Sequence, residues 1–184
     1  MNINRSNVAL AIAAAIAIST HPAWAGDTEQ RSPYAGEQQR ALKAVSAQDI
    51  ADLEAGRGMG LSKVAELNHY PGPKHVLDAA KSLKLADTQI QQVRQLQEGM
   101  QHEAQRLGTQ ILAKEAELDS LFSGHNANED QVHTLVADIA KLQGELRFVH
   151  VNAHLATTRL LTSEQILAYD QLRGYTDSTS HHHH

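Results

Sequence analysis

An unbroken apolar repeat in the second half of the chain constrains the fold more than any other feature. Between about residues 129 and 160, apolar residues recur at alternating intervals of three and four positions. The repeat consists of Val132, Leu135, Ile139, Leu142, Leu146, Val149, Ala153, Ala156 and Leu160. A heptad pattern of this kind predicts a long helix that packs along its length against another helix.

A similar repeat precedes it and predicts the partner helix, from about residue 87 to 122. Its apolar members are Ile90, Val93, Leu96, Met100, Ala104, Leu107, Ile111, Leu118 and Leu121. Residues 123–126 form a short polar connection with a glycine after the first helix. A short connection between two long helices predicts an antiparallel hairpin, with each helix about 50 Å long at 1.5 Å per residue.

Shorter elements flank the predicted hairpin. We expect a disordered start over residues 26–36, and short helices with a Gly/Pro-rich hinge over residues 37–72, where Ser46 is placed to cap a helix. The hairpin domain is predicted over residues 73–175, with short helices at about 73–82 and 163–174. A disordered histidine-rich tail follows over residues 176–184.

A hairpin of this length leaves one apolar stripe on each helix. The flanking segments of the chain are too short to cover both stripes, so we expect a second subunit to contribute. The predicted architecture is therefore all-α: a long antiparallel helical hairpin with short flanking helices, forming a curved homodimer. A monomeric four-helix bundle is the alternative.

The first 25 residues are typical of a secretory signal peptide. Arg5 supplies the positive charge, residues 8–18 are apolar, and Ala23-Trp24-Ala25 is a small-x-small cleavage site. The apolar run is shorter than the roughly 20 residues that a bilayer requires. We therefore expect a cleaved signal, a periplasmic protein and no stable membrane insertion. The terminal His181–His184 are either the remnant of a purification tag or a native metal-binding tail.

The composition argues against several classes of protein. The chain has no cysteine, which removes disulfides, thiolate metal sites and cysteine nucleophiles. Its formal net charge of −5 lacks the basic excess of nucleic-acid-binding domains, and its 4% aromatic content disfavours a β-sandwich or barrel. No nucleophile-elbow, dinucleotide-binding or Walker motif is present. We expect a binding protein that is not an enzyme and has no nucleic-acid partner.

Two histidines on the second predicted helix form a candidate metal site. His150 and His154 are four residues apart and share a helix face. A hairpin that turns near His125 places His150 near Met100 and His154 near Leu96 and Gln97, with Glu103 one turn away. Two imidazoles, one carboxylate and a thioether suit an ion of Zn, Ni, Co or Cu. The alternative is that both histidines are neutral, half-buried residues that bind only their neighbours.

One short motif opens two of the predicted helices. In the segment Leu161-Thr162-Ser163-Glu164-Gln165, Thr162 and Gln165 are placed to form a reciprocal capping box, preceded by an apolar residue. A related segment runs from Leu85 to Gln89. There Ala86 stands where the capping threonine would be, so we expect the next residue, Asp87, to take over as the cap.

These paired motifs, with the helix layout and the export signal, resemble the double Leu-Thr-x-x-Gln signature of the Spy, CpxP, ZraP and CnrX group of periplasmic stress and heavy-metal resistance proteins. The resemblance covers about residues 73–175. It implies a helical hairpin, often a curved dimer, that binds heavy metals, holds unfolded envelope proteins without ATP, or regulates an envelope sensor kinase. Metal binding leads among these functions because the chain contains 12 histidines. A chaperone is the second expectation and a sensor-kinase regulator the third.

Overall fold

Six α-helices form the framework of residues 31–176, the part of the chain that the computed structural model describes, and there is no strand within it. They are α1 (Ala47–Glu54), α2 (Lys63–Glu66), α3 (Pro73–Asp78), α4 (Asp87–Ser123), α5 (Glu129–Thr158) and α6 (Ser163–Arg173). A 3₁₀-helix at Glu37–Gln39 precedes them. The predicted all-α class is confirmed. The predicted signal peptide and the terminal histidines lie outside the described residues.

None of the helices within residues 31–176 combines the length and the apolar character needed to cross a bilayer. The longest, α4 and α5, instead alternate apolar and polar residues along their whole length.

The two longest helices, α4 and α5, pack on each other. Lys114 on α4 is 3.7 Å from the Asp138 carboxylate on α5, near the connection between the helices. At the opposite end, Gln89 on α4 donates to the carbonyl of Leu160, just beyond α5 (2.7 Å). Both helices begin and end within two residues of the bounds predicted from the apolar repeats. Local periodicity was sufficient to predict these bounds, because each helix buries one continuous apolar stripe along its length.

Helix α1 lies against α4 at a glycine. Ser46 caps α1 as predicted, because its hydroxyl accepts from the backbone N–H of Asp49 at 3.0 Å. Leu53 of α1 then packs with Ala104, Leu107, Ile111 and Leu146 in the first of two buried clusters. A Cβ atom at Gly108 would lie 2.3 Å from the Leu53 carbonyl oxygen. Only glycine allows the two backbones this close.

A second buried cluster joins α3, α4 and α6. It contains Val76, Leu83, Val93 and Tyr169. Helix α3 is shorter than the predicted 73–82 segment, because the chain leaves regular α-helix after Asp78 and continues in hydrogen-bonded turns. Lys84, at a φ of 52°, ends these turns, and the N–H of Leu85 donates to the Ala80 carbonyl. This arrangement redirects the chain into α4.

The two short motifs cap their helices differently. At α6, the Thr162 hydroxyl accepts from the Gln165 N–H (3.2 Å) and the Gln165 side chain accepts from the Thr162 N–H (3.0 Å), so the predicted capping box is confirmed. At α4, the N-cap is Ala86, and the prediction that Asp87 caps the helix is wrong. Asp87 is already the first helical residue, because Ala86 takes the extended cap conformation even without a capping side chain.

The two motif glutamines also bind each other. Gln89 donates to the Gln165 side-chain oxygen at 2.9 Å, and Gln165 donates back at 3.1 Å. Gln165 also donates to the Leu83 carbonyl (3.4 Å). The motif leucines, Leu85 and Leu161, pack beside them on the second buried cluster. The starts of α4 and α6 are therefore joined by one amide pair.

Candidate functional site

A cavity of about 730 Å³ lies beside α4 and α5. Three of the predicted metal ligands line it: Met100 on α4, and His150 and His154 on α5. Its remaining wall comes mostly from residues 52–75, including the glycine-rich residues 56–60, with Gln97, Gln101 and Tyr175. The structure therefore brings these three side chains to one cavity that is large enough for a small ligand.

His150 lies deep in the wall of this cavity, with 3% of its surface exposed. Its Nε2 atom is buried and has no hydrogen-bond partner among the described residues. Burial lowers the pKa of His150 below its usual value, and the neighbouring His154 lowers it further. The ring is therefore neutral at neutral pH, and its Nε2 atom makes no hydrogen bond within residues 31–176.

His154 is oriented by the backbone. Its Nδ1 lies 2.7 Å from the carbonyl oxygen of Tyr70, and because a carbonyl only accepts, Nδ1 carries the proton and donates. The other nitrogen, Nε2, is then an acceptor. A Cβ atom at Gly72 would lie 2.8 Å from this ring, so the glycine leaves the space that the imidazole occupies. Metal-binding histidines commonly have their second nitrogen held in this way.

Glu66 on α2 is a buried carboxylate of the cavity, and it is 9% exposed. Its Oε2 atom lies 3.7 Å from His154 Nδ1 and has no hydrogen-bond partner within residues 31–176. Burial acts to raise the pKa of Glu66, but a hydrogen bond from Tyr169 and the charges of His75 and His154 lower it overall. The carboxylate is therefore ionised at neutral pH.

Glu103, the carboxylate predicted from the sequence, is not brought to this cavity. It pairs with Arg106 on the same helix, with side-chain N···O distances of 2.5 and 2.9 Å, and its side chain is 41% exposed. Glu66 could not be predicted as a cavity residue from the sequence. It lies on a four-residue helix, and no periodic pattern indicates where that helix packs against α5. The one available signal was an acidic residue at the end of the short apolar run Val64-Ala65.

Gln97 adds another polar group to the cavity wall. Its side-chain Oε1 is buried without a hydrogen-bond partner in the described part of the chain. Within residues 31–176, no group of three or more His, Asp or Glu side chains lies close enough together to hold one ion. Residues that line the cavity therefore carry separate polar atoms without hydrogen bonds in the described part of the chain, namely His150 Nε2, Glu66 Oε2 and Gln97 Oε1.

Several large apolar side chains are exposed away from this cavity. On α5, Phe148 is 63% exposed and Val136 is 50% exposed. On α6, Leu167 and Leu172 are each 55% exposed. Such side chains are available for contact with another protein surface.

The chain matches no protein-family model, no curated protein and no solved structure. The site is therefore assigned from its own geometry.

Proposed function

We propose that the chain is an exported helical binding protein that holds a divalent transition-metal ion on His150, His154 and Glu66. The observation that supports this most is that His150 and Glu66, which both line the cavity, each carry a buried polar atom without a hydrogen-bond partner within residues 31–176. A buried polar group without a partner costs about 1–3 kcal/mol. A bound cation would remove that cost for His150 Nε2 and Glu66 Oε2.

The chemistry of the donors favours particular ions. Two neutral imidazoles and one carboxylate suit Zn²⁺, Ni²⁺, Co²⁺ or Cu²⁺, and Met100 adds a soft thioether on the same wall. Because no three His, Asp or Glu side chains within residues 31–176 share one centre, binding requires α2 and α5 to approach each other, and Glu66 then supplies the negative charge. The biological role that we propose is metal sensing, buffering or resistance.

The proposed setting is the bacterial periplasm, and the proposed assembly is a homodimer. The signal-like residues 1–25 and the two helix-opening motifs support membership of the periplasmic metal-resistance and stress group that the sequence resembles. The mutual hydrogen bonds of Gln89 and Gln165 give the paired motif a structural role in this chain.

Metal retention tests this function. The chain from Gly26 to Ser180, without the terminal histidines, is dialysed against each of the four ions, and bound metal is counted by mass spectrometry. We expect about one ion per chain, and loss of it in the double variant His150→Ala/His154→Ala. The exposed pair His102→Ala/His133→Ala serves as the matched control and should retain the ion.

A second comparison separates the two candidate carboxylates. Glu66→Gln should weaken metal affinity by about 10-fold or more, as expected for loss of a charged ligand. Glu103→Gln should leave affinity unchanged, because that side chain pairs with Arg106 outside the cavity. Wild-type protein that retains none of the four ions would overturn the proposal.

A client-binding chaperone is the second candidate, and the exposed apolar side chains of α5 and α6 favour it. Metal-free protein would then suppress aggregation of an unfolded client. Phe148→Ser should weaken that suppression, whereas the double histidine variant should retain it. Suppression unaffected by Phe148→Ser would remove the basis for this candidate.

A further inference from the structure

We propose that Tyr169, Arg173 and Tyr175 are positioning residues that hold Glu66 through one of its oxygens, so that ion binding and docking of the C-terminal segment are coupled. The C-terminal segment here means residues 169–175. This inference rests on the proposed function, because it concerns the same carboxylate.

The contacts of Glu66 are divided unequally between its two oxygens. Tyr169 donates its hydroxyl to Oε1 at 2.5 Å and Tyr175 donates to the same atom at 3.2 Å. Arg173 Nε lies 3.3 Å from Oε1, and His75 Nδ1 lies 3.5 Å from it. Oε2 has no hydrogen-bond partner in the described part of the chain. Contacts on one oxygen restrain the carboxylate, and the other oxygen, which lies 3.7 Å from His154 Nδ1, is the one without a hydrogen bond.

The fold delivers this segment to Glu66 by a tight turn. Helix α6 ends at Gly174, whose φ of 72° is left-handed, and the Tyr175 N–H donates to the Asp170 carbonyl at 2.9 Å. Such a helix end reverses the chain, which places Tyr175 back beside Glu66. Asp170 is itself buried and lies 2.9 Å from His69 Nδ1, so the loop after α2 holds the segment a second time.

The Tyr169 hydroxyl is suited to this positioning role. The side chain is 1% exposed and packs in the second buried cluster, so the ring has one orientation. Because a carboxylate oxygen only accepts, the Tyr169 hydroxyl is the donor in its hydrogen bond with Glu66.

Coupling between two sites is reciprocal. If the segment prepares Glu66 for an ion, the ion must stabilise the docked segment by the same factor. Groups that orient a metal ligand typically change affinity by about 10- to 100-fold when they are removed. The segment is thus positioned to report whether the cavity is occupied.

The test measures Zn²⁺ affinity of the full chain by competition with a chelating dye. The His150→Ala/His154→Ala variant defines the background from the terminal histidines. Tyr169→Phe/Tyr175→Phe retains both rings and should weaken Zn²⁺ binding about 10- to 100-fold. Tyr34→Phe is the control and should bind normally, because Tyr34 is 71% exposed and does not line the cavity. If the double variant does not fold, the Zn²⁺ affinity of the single variant Tyr175→Phe is measured in its place.

Hydrogen exchange supplies a readout that a purely structural role would not change. Zn²⁺ should slow amide exchange in residues 169–175 of the wild type, and should not do so in Glu66→Gln. Equal Zn²⁺ affinity of the wild type and a folded tyrosine variant would overturn the coupling alone. Exchange in residues 169–175 that does not respond to bound Zn²⁺ would do the same. Wild-type protein that binds no Zn²⁺ above the background would overturn the proposed function, and the coupling with it.

Discussion

At Gly72, the absence of a side chain decides where the imidazole of His154 lies. The glycine has an ordinary φ of −82°, so its requirement is steric and not conformational. The space that a Cβ would fill is occupied by the ring, and the ring uses that position to reach the Tyr70 carbonyl.

Gly72→Ala should therefore displace the His154 ring and break its hydrogen bond. We expect a loss of about 1–3 kcal/mol in the free energy of unfolding, as for other overpacked sites, together with weaker metal binding. Gly144→Ala is the matched control. It lies in α5 with nothing within 4 Å of the added carbon and should stabilise the protein by about 1 kcal/mol. Urea denaturation measures both, and a Gly72→Ala midpoint equal to that of the wild type would contradict the steric argument.

Glu115 should make stability depend on pH. It lines a smaller cavity of about 500 Å³ beside Leu146, and burial raises its pKa above the usual 4.5. A raised folded pKa means that the folded state binds the proton more tightly, so stability falls as pH rises through that pKa. Glu115→Gln should thus stabilise the protein at pH 7, by less than about 0.5 kcal/mol, and lose this advantage below pH 4.5.

Thermal unfolding at pH 7 and pH 4 measures the Glu115 effect. The exposed Glu54→Gln on α1 is the control for removing a surface charge. A gain in both variants, or in neither, would show that burial of Glu115 has no net influence.

At the scale of the helices, a pair of amides joins α4 to α6. Each glutamine accepts from the N–H of its own N-cap residue and donates to the other glutamine. The motif thus caps a helix locally and joins two helices over 76 residues of sequence separation. The capping hydrogen bonds could be predicted from the spacing of the motif. The hydrogen bonds between the two glutamines could not, because they depend on where the tertiary structure places α6 relative to the start of α4.

A double-mutant cycle measures this joining contact. Gln89→Ala and Gln165→Ala should each destabilise the protein, and the double variant should be more stable than their sum predicts, by about 0.5–3 kcal/mol. The exposed glutamines Gln91 and Gln171 provide a control cycle, which should be additive within about 0.5 kcal/mol. Additive losses at Gln89 and Gln165 would mean that the two amides act only as separate caps.

At the scale of the whole molecule, the exposed aromatic ring on α5 bears on assembly. Phe148 is 63% exposed although α5 is otherwise packed on α4. If the proposed homodimer forms through this side of α5, Phe148→Glu should shift it to monomer without loss of helical circular dichroism. Gln143→Glu is the control for added charge on the same helix. Sedimentation of the wild type as a monomer at all concentrations would overturn the proposed dimer.

The bounds of the long helices could be predicted because they are local properties. Alternating three- and four-residue apolar spacing specifies one buried stripe, and it located α4 and α5 within two residues. The capping box at Thr162 and the cap at Ser46 were equally readable, because their partners lie three residues away. The short helices were less predictable, since α3 ends four residues earlier than its composition indicated.

The sequence by itself therefore determined the helical class, the two long helices and the placement of Met100, His150 and His154 at one level of the helix pair. The tertiary structure alone decided that Glu66, and not Glu103, supplies the carboxylate of the cavity. It also decided that Gly72 leaves room for His154 and that Tyr169 and Tyr175 hold Glu66. The physical reason is the sequence separation of the interacting residues. Helix periodicity and helix caps involve residues within one or two helical turns of each other. At the cavity, Tyr175 contacts Glu66 across 109 residues of sequence, and such segments meet only when the chain is folded.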